Sequence, residues 1–187
     1  MKRIAFLLIA IAIISSAAMA GDMAKSGQWG VQTSLGLASA PMTTTGAPTN
    51  STLGLKFMAS DNMAVRVEAG FASMSVNGTS NSSYGFGAGF EYHMESKGGS
   101  VSPYVGLGVG YYGVSVNGAS NTPSTFSVDG VFGGEYFFSS AFSWAGQVGI
   151  GYLNESNAYY DAVNNSYSSA SVFGTVSATM ILTWYVN

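Results

Sequence analysis

Tyr84-Gly85-Phe86-Gly87-Ala88-Gly89-Phe90-Glu91-Tyr92-His93-Met94 carries Tyr, Phe, Ala, Phe, Tyr and Met at its even positions and Gly, Gly, Gly, Glu and His at its odd ones. A period of two belongs to an extended strand, so one face is apolar and aromatic and the other small or charged. A soluble sandwich also alternates, but it shows water a surface rich in Lys, Glu and Thr. A nearly bare glycine face holding one Glu and one His suits a different strand. Its aromatic side meets lipid, and its small side lines a narrow closed interior.

The same pattern repeats on either side. Before this stretch, strands are predicted over residues 28–37, 52–59 and 63–73; after it, over 103–113, 125–138, 142–153 and 170–186. The first shows Trp29, Val31, Thr33, Leu35 and Leu37 on one face, and the last shows Val172, Val176, Ala178, Met180, Leu182, Trp184 and Val186. Connections alternate between long segments at 38–51, 74–82, 114–124 and 154–169 and tight turns at 60–62, 95–102 and 139–141. Eight alternating strands, short turns at one end and long loops at the other predict an all-β, eight-stranded antiparallel up-and-down transmembrane barrel. Ser75-Val76-Asn77-Gly78 returns forty residues later as Ser115-Val116-Asn117-Gly118, which reads as a duplicated hairpin.

The charges sort with the pattern. Only 8% of the chain is charged, against about 25% in ordinary soluble domains. Six charged residues fall within the predicted strands (Lys56, Arg66, Glu68, Glu91, Asp129 and Glu135), and each lies on the inner face. A Lys or Arg facing lipid at the midplane would cost about 2–4 kcal/mol. Buried charges must pair. The expected network joins Arg66, Glu68, Glu91 and Glu135, with Lys56, Asp129 and His93 nearby. Two basic groups against four acids leave an excess that a protonated Glu or His93 would offset. Scattered charges in a wet lumen are the alternative.

Aromatic residues are expected in two girdles at the membrane interfaces. Trp29, Trp144 and Trp184, with Tyr92, Tyr104, Phe138 and Phe142, fall at the short-turn end; Tyr84, Tyr111, Phe126 and Tyr152 fall at the other.

Residues 1–20 read as a cleaved secretory signal peptide: Lys2-Arg3, an apolar run of eleven over 4–14, and Ala18-Met19-Ala20 as the cleavage site. The barrel then occupies residues 21–187. There is no Cys, hence no disulfide framework. Nine acidic and four basic residues follow residue 20, with no basic patch for nucleic acid.

On the signal segment, the eight alternating strands, the aromatic belts and the inner charges, the chain resembles the small outer-membrane β-barrel family typified by OmpA and OmpX. The resemblance implies location in the bacterial outer membrane, among its lipid and lipopolysaccharide. It also implies termini and short turns in the periplasm, and insertion by the outer-membrane assembly machinery. That machinery reads an alternating last strand ending in an aromatic; here Met180, Leu182 and Trp184 alternate, and the chain ends Tyr185-Val186-Asn187.

Function is then expected to be non-catalytic: a monomeric envelope barrel whose four outer loops meet an unidentified ligand, with no cofactor or metal. A narrow ion-conducting channel is the alternative, though eight strands leave an interior that side chains can fill. An enzyme acting on lipid is a third reading. It would need a nucleophile, base and acid in mutual reach, and the run His93-Met94-Glu95-Ser96 does not put Ser and His on one face.

Overall fold

A computed structural model of the chain describes residues 24–39, 51–76, 79–94, 100–116, 122–161 and 166–186. The expected signal peptide, the tip of each long connection and the turn carrying Lys97 lie outside the described residues.

Eight strands form, all antiparallel to their neighbours: β1 (Trp29–Ser39), β2 (Ser51–Met58), β3 (Met63–Val76), β4 (Thr79–His93), β5 (Val101–Val116), β6 (Ser124–Ser139), β7 (Phe142–Asp161) and β8 (Ser166–Val186). They pair in sequence order, and β1 closes on β8 with Trp29 opposite Val186. Closure leaves no free edge along the paired region, which is what a sheet in lipid requires. Outward side chains such as Leu53, Phe86 and Leu107 are exposed, while Lys56, Arg66 and Glu135 are buried inside.

Inward glycines act as seats for side chains from the neighbouring strand. A Cβ on Gly89 would meet the Arg66 guanidinium, one on Gly87 would meet Glu68, and one on Gly133 would meet the Tyr104 ring. A narrow barrel can therefore hold large polar groups without widening.

Three expectations need correction. The strands are longer than the alternation suggested. Pairing continues through Val76↔Thr79 between β3 and β4, and through Asp161↔Ser166 between β7 and β8. Most of residues 154–169, read as a loop that included Glu155 and Asp161, is thus paired ribbon. Outside lipid no face need be apolar, so the period of two disappears while the backbone ladder persists.

The second correction concerns the face of β8. Gly149 pairs with Ser177 and Ile150 with Thr175, leaving Val176 as the extra residue of a bulge. Val176 turns inward against Leu153. Beyond the bulge the parity is reversed: Phe173, opposite Tyr152, takes the outer face at 78% exposed, and Val172 stands opposite Leu153.

The third concerns Tyr104. It is 1% exposed and lies in the interior with Ala145 and Ile181, so it is no part of the girdle. As an inward position on β5 it follows the strand period, which outweighs the preference of tyrosine for interfaces.

Candidate functional site in the barrel interior

The interior is layered along the barrel axis. At the short-turn end Met58, Ala64, Phe137 and Tyr185 form an apolar layer with Ala24. Tyr185 links this layer to the next: its hydroxyl donates to Glu135 Oε1 at 2.8 Å.

Next come the charges. Lys56 Nζ lies 2.7 Å from Glu91 Oε2 and 2.7 Å from Glu135 Oε2, so one ammonium from β2 joins carboxylates on β4 and β6 across the lumen. Arg66 Nη1 reaches Glu91 Oε1 at 3.1 Å and donates to Gln147 Oε1 at 2.8 Å. Ser143 donates a further hydrogen bond to Glu135. Tyr104 donates its hydroxyl to Gln147 Oε1 at 3.0 Å. The exposure of the four charged side chains runs from 0% to 6%.

This cluster differs from the expected network in its centre. Lys56, placed at the periphery by sequence, is the hub. Glu68 and Asp129 stand apart, nearer the long-strand end. Glu68 accepts from the Thr52 hydroxyl at 2.9 Å, and the Asp129 carboxylate lies over Gly108 on the cavity wall. Two cations, Lys56 and Arg66, thus meet two carboxylates, Glu91 and Glu135, in the cluster itself. Isolated buried charges would be costly; a paired and hydrogen-bonded set is tolerated.

His93 extends the network. Its Nε2 lies 3.1 Å from Glu91 Oε2 and 3.8 Å from Glu135 Oε2, and Ser102 Oγ lies 3.0 Å from Nδ1. A carboxylate only accepts, so Nε2 is the donor towards Glu91, while Nδ1 faces Ser102 Oγ, a hydroxyl that also reaches the Met94 carbonyl at 3.5 Å. Ser102–His93–Glu91 has the connectivity of a nucleophile, a base and an orienting acid. Sequence reasoning missed Ser102, because its partner is set by the β4–β5 register and not by a spacing along the chain. All three are buried, at 1%, 4% and 2% exposed, and Glu91 is already held by Lys56 and Arg66.

Glu91, His93 and Glu135 also place three ligand atoms within 4.8 Å of one another. The Lys56 ammonium sits between the two carboxylates, where a divalent cation would otherwise bind.

Beyond Gln147 the lumen opens. A cavity of about 260 Å³ and an adjoining one of about 220 Å³ share Glu68, Tyr112, Ser127 and Gln147 in their walls. Neither is lined by Lys56, Glu91, His93 or Glu135.

On the outer surface, aromatic rings gather where the short turns lie. Trp29 meets Phe57 at 4.6 Å between ring centres, Phe138 meets Phe142 at 5.3 Å, and Phe142 meets Trp184 at 4.9 Å. Tyr92 is exposed beside them, and Trp144 is half-buried. At the other end Tyr84 meets Tyr111 at 6.3 Å, and Phe126 and Tyr152 face outward.

A closed ring of eight strands, apolar outside and charged within, defines a transmembrane β-barrel. The chain belongs to the outer membrane protein beta-barrel domain family, whose pattern it matches over residues 6–174, and it is a bacterial outer-membrane protein. No curated protein matches it in sequence. Among solved structures, it is similar to the N-terminal β-barrel domain of Pseudomonas aeruginosa OprF, with a TM-score of 0.52 and 12% identity, covering 86% of this chain and 98% of that one. OprG from Pseudomonas aeruginosa aligns at a TM-score of 0.46 and 15% identity, over 87% of this chain and 96% of that one. AlkL aligns at 0.49 and 15%, over 89% and 93%. The OprF likeness concerns the fold alone.

Proposed function

We propose that this chain is a non-catalytic, monomeric outer-membrane barrel that anchors a surface ribbon, with a lumen closed to bulk flow. The observation that carries this reading is the Lys56 bridge between Glu91 and Glu135. It ties β2 to β4 and β6 through the middle of the barrel, and Arg66 braces it from β3. A water-filled pore would leave such groups solvated; here they are buried and paired. The cavities beyond Gln147 form a vestibule at one end of the lumen.

The outer face of the molecule carries the biological contact. β7 and β8 have 20 and 21 residues, about twice the 9–11 needed to cross a bilayer. Their ends form a ribbon rich in Ser, Asn and Tyr, placed outside the cell with the short turns in the periplasm. Its partners would be lipopolysaccharide or a ligand at the surface, since binding residues favour projections from a rigid scaffold. The Ser102–His93–Glu91 chain serves the fold in this reading, because burial denies it a substrate.

Residues 21–187, refolded and recorded in planar bilayers, test the closed lumen. The expected trace shows no stable unitary conductance. Large, long-lived steps would replace this reading with that of a channel.

A further inference from the structure

A barrel sealed along its wall still has two mouths. At the short-turn mouth, the residues before β1 double back. Gly27 has φ = 85°, a left-handed conformation that glycine adopts without strain. Gln28 N–H donates to the Lys25 carbonyl at 3.1 Å, and Lys25 N–H to Gln28 Oε1 at 2.7 Å, so the segment forms its own turn. The turn is fastened to the β2 end. Gly27 N–H donates to the Met58 carbonyl at 2.8 Å, and Ser26 N–H to Asp61 Oδ1 at 2.9 Å. The result inserts Ala24, 3% exposed, against Met58, Ala64, Phe137 and Tyr185, while Lys25 and Ser26 remain exposed.

We propose that residues 24–28 are a built-in stopper: a strap that closes the short-turn mouth and shields the Lys56–Glu135 bridge from water on that side. The inference rests on the closed-lumen reading and adds a second seal to it. The strap suits this role because it is held lightly. One methyl group enters the apolar layer, three hydrogen bonds pin the turn to the rim (the two above and Met58 N–H to the Gln28 carbonyl at 2.9 Å), and the Lys25 and Ser26 side chains stay in water. Such a segment belongs to the low-stability end of a structure, where local opening costs far less than unfolding. Beneath it lies Tyr185, whose hydroxyl meets Glu135. A released strap would uncover the ring that separates the cluster from the mouth.

The chain has no Cys and a single His, which makes two probes unambiguous. Ala24→Cys and Lys25→Cys, refolded in the same lipid vesicles, are labelled with a water-soluble maleimide. Cysteine at position 24 should react roughly tenfold more slowly than at position 25, or slower still; equal rates overturn the stopper. Hydrogen exchange on the unsubstituted chain gives the same answer independently. The Gly27 amide should be protected, and exchange at the free-chain rate overturns the proposal.

Ala24→Asp places a charge in the apolar layer and should release the strap while the barrel keeps its folded, heat-modifiable gel band. His93 should then react faster with diethyl pyrocarbonate than in the parent. Unchanged His93 reactivity in the folded variant overturns the shielding role. A conducting parent would sink the closed lumen by itself, whereas a silent parent with an unprotected position 24 would sink only the stopper.

Discussion

Lys56 shows how much one side chain can organise. Its ammonium stands 2.7 Å from each of two carboxylates that would otherwise face one another. Lys56→Met should lower the melting temperature in detergent strongly, since breaking a buried pair costs about 3–5 kcal/mol. Zinc should restore part of the loss in the variant, because Glu91, His93 and Glu135 already lie within 4.8 Å of one another. The parent should not respond. Arg66→Leu should also lower the melting temperature, as it strips Glu91 and Gln147 of a partner; an unchanged midpoint would show that Lys56 alone holds the cluster. Glycines offer a paired test of the seating rule. Gly133→Val would collide with the Gly146 carbonyl oxygen and with the Tyr104 ring, whose Cζ lies 2.8 Å from the added Cβ, whereas a Cβ on Gly146 meets nothing within 4 Å. The first should cost about 1–3 kcal/mol as overpacking, and Gly146→Ala should leave the melting temperature nearly unchanged.

The strands illustrate where alternation can be trusted. From Tyr84 to His93 in β4 the period of two holds without interruption, and Phe86, Phe90 and Tyr92 face outward as their parity requires. In β8 it fails at one residue. Val176 has the parity, size and apolarity of a lipid-facing position, yet the bulge beside Gly149 turns it inward. Nothing in its immediate neighbours announces this, because the bulge is decided by how β8 matches two different partners. Its pairing with β1 is also irregular, shifting between Gly36 and Ala38. A fluorophore at position 173 should be quenched by lipid-borne quenchers, and one at 176 should not. Quenching at 176 and 172 but not at 173 would restore the uninterrupted alternation.

At the scale of the whole molecule, the barrel divides into a packed half and an open half. The short-turn half carries the apolar layer, the charge cluster and an aromatic belt; the long-strand half carries the vestibule and the ribbon. Among the described residues, the backbone ladder of the outermost ribbon runs between β7 and β8, through Tyr159↔Ser168, Tyr160↔Tyr167 and Asp161↔Ser166. Replacing residues 158–169 with a two-residue turn should therefore leave the heat-modifiable band and the melting temperature intact. A variant that no longer refolds would show that the ribbon helps to close the barrel.

Alternation along the chain was enough to give the class of fold, the strand number and the inward facing of Lys56, Arg66, Glu68, Glu91, Asp129 and Glu135. Each of these follows from a local rule, because lipid penalises a wrong-facing charge at every turn of a two-residue period. It took the assembled barrel to show that Lys56 is the hub, that Ser102 meets His93 and that Val176 turns inward. These depend on the register between strands and on closure of the ring. Register couples residues such as Lys56 and Glu135, 79 positions apart, and a two-residue shift would change such partners while leaving every side chain on its own face.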